Sequence, residues 1–204
     1  MKKIVIIFGV IFLAVFSFAE LINVSAENVV GGEQQYTLRD NVAIKKGDLI
    51  ISTNYAVIYL VNDDWRRLES ENTTIKSDTF EVVSKTMSFD LRDEKGTFKD
   101  EVKTLINIDE SIMNIVSDLL EIDNKSKIYN GSSNERVLII KDDYTIRAKK
   151  FIYNENEKKL TLEGDVSIIN TEKKIDMKST NAVFNTNTNE IEARTVQLTL
   201  ELAN

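Results

Sequence analysis

The sequence contains no cysteine, no histidine and no proline, and its 204 residues include only seven glycines and one tryptophan. Without cysteine there is no disulfide framework, no thiolate metal site, no thiol nucleophile and no lipid-modified N-terminal cysteine. Without histidine the chain lacks the commonest general base, the usual zinc ligands and every Ser-His or Cys-His relay. No proline-rich or Gly/Ser stretch is present to separate two domains, so one continuous domain is expected. What remains is an ordinary globular balance, 42% hydrophobic and 29% charged with 8% aromatic residues.

Residues 1–19 differ from the rest. Lys2-Lys3 supply a positive start, Ile4 to Phe16 an apolar run, and Ser17-Phe18-Ala19 a small-x-small site before Glu20. This order is that of a cleaved secretory signal peptide, with an alternative cut after Ala26. The competing reading is a retained anchor, but residues 4–19 fall short of the roughly 20 that span a bilayer. Cleavage before Glu20 removes Lys2 and Lys3 and takes the formal charge from −7 to −9. So acidic a chain repels nucleic acid and anionic surfaces at long range, and no nucleic-acid partner is expected.

The remaining sequence alternates. Tyr36-Thr37-Leu38-Arg39, Tyr144-Thr145-Ile146-Arg147-Ala148 and residues 160–168 follow the strand period of two. Between such runs lie Lys46-Gly47-Asp48, residues 154–158 and residues 185–189, rich in the Asn, Asp and Gly that tight turns favour. The hairpins repeat: a small or polar residue precedes a bulky one by five positions in Asn54 to Tyr59, Ser84 to Phe89, Ser117 to Ile122, Ala148 to Tyr153 and Ser179 to Phe184. A second strand follows each, at residues 68–75, 98–106, 128–140, 160–169 and 191–200. Residues 38–44 match 162–168, so the domain opens on a half-repeat after an N-terminal linker, 20–35, and runs from 36 to 204. Two strands in a period near thirty imply a stacked all-β architecture. Ile112, Ile115, Val116, Leu119 and Leu120 also fit one helical face with Asp109 as its cap; repeat phase favours a strand over 114–122, with a short helical turn before it as the alternative.

These residues carry a resemblance. The opening segment from Tyr36 to Ser52, together with Leu160, Glu163 and Gly164-Asp165-Val166, resembles the OstA-like, LptA/LptC family of lipopolysaccharide transport proteins, over residues 36–200. The family's Gly-Asn-Val-like step is matched by Gly164-Asp165-Val166 and, without the glycine, by Asp40-Asn41-Val42. The resemblance implies an open, twisted β-jellyroll of antiparallel hairpins whose interior cradles acyl chains and whose end strands pair with neighbouring jellyrolls in a bridge across the periplasm. It implies lipopolysaccharide or a related glycolipid as ligand, homo-oligomerisation, and neither cofactor, metal nor catalytic residue. The candidate groove residues are Val57, Tyr59, Met87, Phe89, Ile146, Ala148, Phe151, Tyr153, Leu160, Leu162, Val166, Met177, Phe184 and Leu198; equally, they can fill one another's space as a sandwich core.

The charged features read two ways as well. Lys45-Lys46, Lys149-Lys150, Lys158-Lys159 and Lys173-Lys174 form either a rim for phosphorylated head groups or solvated turn and edge residues. Asp63-Asp64 and Asp142-Asp143 lack the further ligands of a calcium loop and read as turns. A membrane-anchored LptC-like component and a carbohydrate-binding or structural β-repeat protein are the alternatives to a lipid carrier. The free edges of the carrier are expected at residues 36–44 and 195–202, where Val196, Leu198, Leu200 and Leu202 alternate.

Overall fold

Alternation becomes strand pairing in the computed structural model, which describes residues 21–109 and 111–200. The strands are β1 (Asn23–Ser25), β2 (Asn28–Gly31), β3 (Gln35–Lys46), β4 (Leu49–Val61), β5 (Asp64–Lys76), β6 (Phe80–Asp90), β7 (Lys95–Ile108), β8 (Ser111–Asp123), β9 (Ile128–Lys141), β10 (Tyr144–Asn154), β11 (Lys159–Asn170), β12 (Ile175–Asn185), β13 (Ile191–Arg194) and β14 (Gln197–Leu200). They form one antiparallel sheet in which β3 to β12 follow in chain order. Without proline, no residue lacks the N–H that such a ladder needs. At one edge β1 and β2 both pair with β3; at the other, β13 and β14 both pair with β12.

The long strands change register near their middles, between Arg39 and Val42, Val83 and Thr86, Lys99 and Val102, Val116 and Leu119, Arg147 and Lys150, and Glu163 and Val166. Such bulges bend a strand and sharpen its twist, and aligned across the sheet they make a crease. Three of them share one device, two successive left-handed residues before a valine: Asp40-Asn41-Val42, Asp100-Glu101-Val102 and Gly164-Asp165-Val166. The step that resembles a family motif is therefore the crease itself.

The crease folds the sheet into two layers. Phe80 belongs to the lateral row Phe80, Ile106, Met113, Lys141, Tyr144, and Tyr129 to the row Ile58, Leu68, Phe89, Gly96, Ile122, Tyr129, Tyr153, Leu160, Phe184. On a flat sheet these rows would lie about 30 Å apart along the strands. Instead Phe80 and Tyr129 have ring centroids 6.0 Å apart, and Tyr144 and Phe184 5.1 Å. We call the half that includes the turns at 46–49, 76–80, 108–111, 141–144 and 170–175 layer A, and the half that includes the turns at 61–64, 90–95, 123–128, 154–159 and 185–191 layer B.

Two expectations are corrected and one alternative falls. Residues 23–25 and 28–31 of the expected linker are strands, because Val24 and Val29 alternate with polar residues well enough to pair with β3. They cover residues 36–44, so among the described residues the N-terminal edge of the sheet is β1 with β2. The segment 111–123 is strand throughout, with Met113, Ile115, Ser117, Leu120 and Ile122 buried; apolar Ile112 and Val116 on its exposed outer face, beside buried Ile115 and Leu120, are what imitate a helical face. The repeat frame of the first unit is Thr53 to Ile58, one residue earlier than Asn54 to Tyr59, since Thr53 and Ile58 are the buried members. Residues 1–19 and Leu202, on which the leader and part of the C-terminal edge rest, lie outside the described residues.

Candidate functional site

The space between the layers is filled with side chains along most of its length. Phe80, Phe98, Tyr129, Tyr153, Phe151 and Phe184 are all fully buried in a single apolar cluster that reaches from Leu38 to Phe184. Two glycines make room for the rings: a Cβ on Gly131 would stand 2.2 Å from Phe151 Cε1, and one on Gly96 2.6 Å from Phe89 Cδ2. Of the fourteen candidate residues, Met87, Phe89, Ile146, Ala148, Phe151, Tyr153, Leu160, Leu162, Val166, Met177 and Phe184 share this interior. Val57 and Tyr59 do not. Val57 pairs laterally with Glu69 and Tyr59 with Arg67 on the outer face of layer B, where the Arg67 guanidinium lies 4.4 Å from the Tyr59 ring centroid. Leu198 faces inward beside Met177 but is 52% exposed, because no strand follows β14 among the described residues.

The turns of the two layers meet opposite the crease and close a seam. Lys46 Nζ stands 2.6 Å from Glu94 Oε1, Lys127 Nζ 3.5 Å from Thr79 Oγ1, and Lys141 Nζ 3.3 Å from Asn189 Oδ1, each across 48 residues. Lys158 Nζ lies 3.7 Å from Asp109 Oδ1. Each pair joins a layer A turn to the layer B turn three strands further along. Burial alone would raise the Glu94 pKa, but hydrogen bonds from Lys46 and Asn124 hold the carboxyl below its usual range. Successive layer B turns are tied by backbone bonds, Asn124 N to Glu94 O at 3.0 Å, Glu155 N to Lys127 O at 3.0 Å and Thr186 N to Lys158 O at 2.8 Å. Burial pushes the Tyr129 hydroxyl far up, with Glu155 beside it, and it donates to Glu155 Oε2 at 3.0 Å.

At the N-terminal end the filling stops. An apolar cavity of about 530 Å³ opens there between β1, β2 and the turn at 61–64, lined by Leu21, Ile22, Val24, Val29, Tyr36, Leu38, Ile58, Trp65 and Leu91. Leu38, Ile58 and Leu91 belong to the core cluster, so the mouth leads into the interior. Tyr36 and Trp65 stack with centroids 4.7 Å apart across it. Asp63 and Asp64 mark its rim, and Asp64 pairs with Arg92 at 3.2 Å. Sequence reasoning missed this mouth, and the lone Trp65, the only tryptophan in the chain, was the available pointer. A larger hollow of about 840 Å³, whose lining includes Arg66, Asp90, Lys95 and Glu121, lies on the outer face of layer B and mixes charged with apolar residues.

The charged pairs fall where turns place them. Lys46 and Lys158 belong to the seam, Lys149 Nζ donates to Asn134 O at 2.8 Å and Lys173 Nζ to Tyr144 Oη at 3.3 Å. Asp142 pairs with Lys141. Among the described residues no cluster of acidic side chains is arranged to hold a metal ion. The chemistry this arrangement offers is apolar enclosure with polar closure.

No protein-family profile matches the chain, and no curated protein matches it. Among solved structures it is similar to LptH, the LptA-homologous periplasmic component of the lipopolysaccharide transport device of Pseudomonas aeruginosa. The identity is 8%, the alignment covers 90% of this chain and 96% of that one, and the TM-score is 0.27.

Proposed function

We propose that the chain is an exported, periplasmic lipid-binding protein that takes acyl chains of lipopolysaccharide or a related glycolipid into its apolar mouth and interior. It then joins neighbouring jellyrolls end to end as part of a transport bridge. The observation that carries this reading is the mouth: an apolar cavity continuous with the core, at an end of the sheet that nothing in the described chain caps. Each acyl CH₂ taken up contributes about 0.8 kcal/mol, so a cavity of this size binds lipid without a catalytic or ionic group. Deeper entry requires the seam to part and core side chains such as Phe151 and Tyr153 to move aside.

Edge strands explain the assembly. Among the described residues β1 with β2 and β13 with β14 each have one unpaired side, and an unpaired strand is a template for another chain. The N-terminal edge runs from layer A to layer B and the C-terminal edge from layer B to layer A, so they pair antiparallel with the layers in line. A photo-crosslinking residue at Leu38 or Leu91 should capture lipopolysaccharide, and one at outward-facing Thr161 should not. Deleting residues 195–204 should abolish higher oligomers in light scattering while circular dichroism shows the sheet intact. Equal capture at all three positions, or an unchanged mass distribution, overturns the corresponding half of the proposal. N-terminal sequencing of the exported protein should begin near Glu20; a full-length chain recovered only with membranes would favour the anchored alternative.

A further inference from the structure

The seam follows a rule that the described residues leave unmet at the C-terminal end of the sheet. Every layer A turn from 46–49 to 141–144 meets the layer B turn three strands on, and each meeting places a lysine against an oxygen: Lys46 on Glu94, Lys127 on Thr79, Lys158 on Asp109 and Lys141 on Asn189. The last layer A turn, at 170–175, lies between β11 and β12 and carries Glu172, Lys173 and Lys174. A partner turn three strands further would follow β13 with β14 and one more strand, and the described chain has none.

We infer that the turn that completes the seam belongs to a second copy of this chain, and that it is the β2–β3 turn with Glu33. This inference rests on the end-to-end reading above and fixes its register. When β1 with β2 of a second copy adds to β13 with β14, the first layer B turn past the junction is Gly32-Glu33-Gln34, three strands beyond 170–175. The turn is in layer B, because β2 pairs with the layer B half of β3, Gly31 with Tyr36, and Gln34 O accepts from Leu60 N at 2.9 Å. The two turns then meet, and Lys173, which within its own chain reaches Tyr144 Oη at 3.3 Å, is set against Glu33 of the second copy, a lysine on an acid as in Lys46 on Glu94 and Lys158 on Asp109. Both side chains are exposed, and neither has an acidic or basic partner in the ion pairs of the described residues. In a head-to-head or a tail-to-tail arrangement the corresponding end turns do not stand three strands apart, so neither continues the seam. The closing pair therefore gives the stack its polarity.

The absence of cysteine makes the test clean. Chains bearing Lys173→Cys and chains bearing Glu33→Cys are mixed and oxidised. A disulfide-linked heterodimer should form, each variant alone should give little, and Lys125→Cys, in a layer B turn, should give none with Glu33→Cys. In light scattering, Lys173→Glu or Glu33→Lys should each weaken association about two- to fivefold at low salt, the range open to an exposed ion pair, and the double exchange should restore it. If wild-type chains assemble but no heterodimer forms, or the double exchange restores nothing, this register is wrong while end-to-end assembly stands. If wild-type chains stay monomeric at all concentrations, both fall.

Discussion

Gly164 shows how much the crease asks of single residues. Its φ of +76° is left-handed, and a Cβ there would meet Lys149 Cβ at 2.9 Å. Gly164→Ala should therefore cost about 1–2 kcal/mol, read as a lower urea midpoint. Asp100 holds the matching place in β7 with φ of 62°. Asp100→Gly should stabilise by roughly 0.5 kcal/mol, the left-handed strain relieved less the entropy a glycine adds. On the facing strands the small residues do different work from unit to unit. Ser84 Oγ donates to Thr86 O at 3.0 Å, whereas Ser117 Oγ is buried without a partner. Ser84→Ala should lose about 1 kcal/mol, and Ser117→Ala should be neutral or stabilising, as the alanine already present at position 148 suggests; chemical denaturation of the two variants checks this.

Between elements, the seam is where charge matters. Glu94 has a depressed pKa in the folded chain despite partial burial, owing to Lys46 and Asn124. Asp90 is likewise low: burial would raise it, but hydrogen bonds from Arg66 and from the backbone of Asp93 and Arg92 outweigh that. A depressed carboxylate stabilises the fold fully above its ordinary range and loses that contribution as pH falls through the depressed value. The thermal midpoint should accordingly drop between about pH 5 and pH 3. Glu94→Gln should lower the midpoint at neutral pH and flatten part of that drop; an unchanged slope would place the acid sensitivity elsewhere. Strands, turns and the thirty-residue repeat were legible because alternation and Asn/Asp/Gly turns are local. The seam was not, since its partners are 48 residues apart and a lysine in a turn looks the same whether it meets water or a carboxylate. The frame of the first unit was misread because Thr53-Asn54 and Ile58-Tyr59 each offer two residues that suit the pattern. Most of the candidate positions do lie in the interior, but alternation does not say whether the facing layer fills the gap. Here it does, everywhere except at the mouth.

For the molecule as a whole, the crease and seam give a filled two-layer tube that, among the described residues, leaves its strand edges and an apolar mouth open. In the proposed function a lipid fills the mouth and another sheet covers the edges. Trp65 provides the most direct measurement, because it is the single tryptophan in the chain and it lines the mouth. Titrating lipopolysaccharide into the protein should shift its emission to shorter wavelength along a saturable curve, and Leu91→Asp, which sets a charge at the inner end of the mouth, should abolish the shift while circular dichroism shows the sheet intact. Emission that stays constant through the titration, or that shifts equally in the Leu91→Asp variant, would contradict the account.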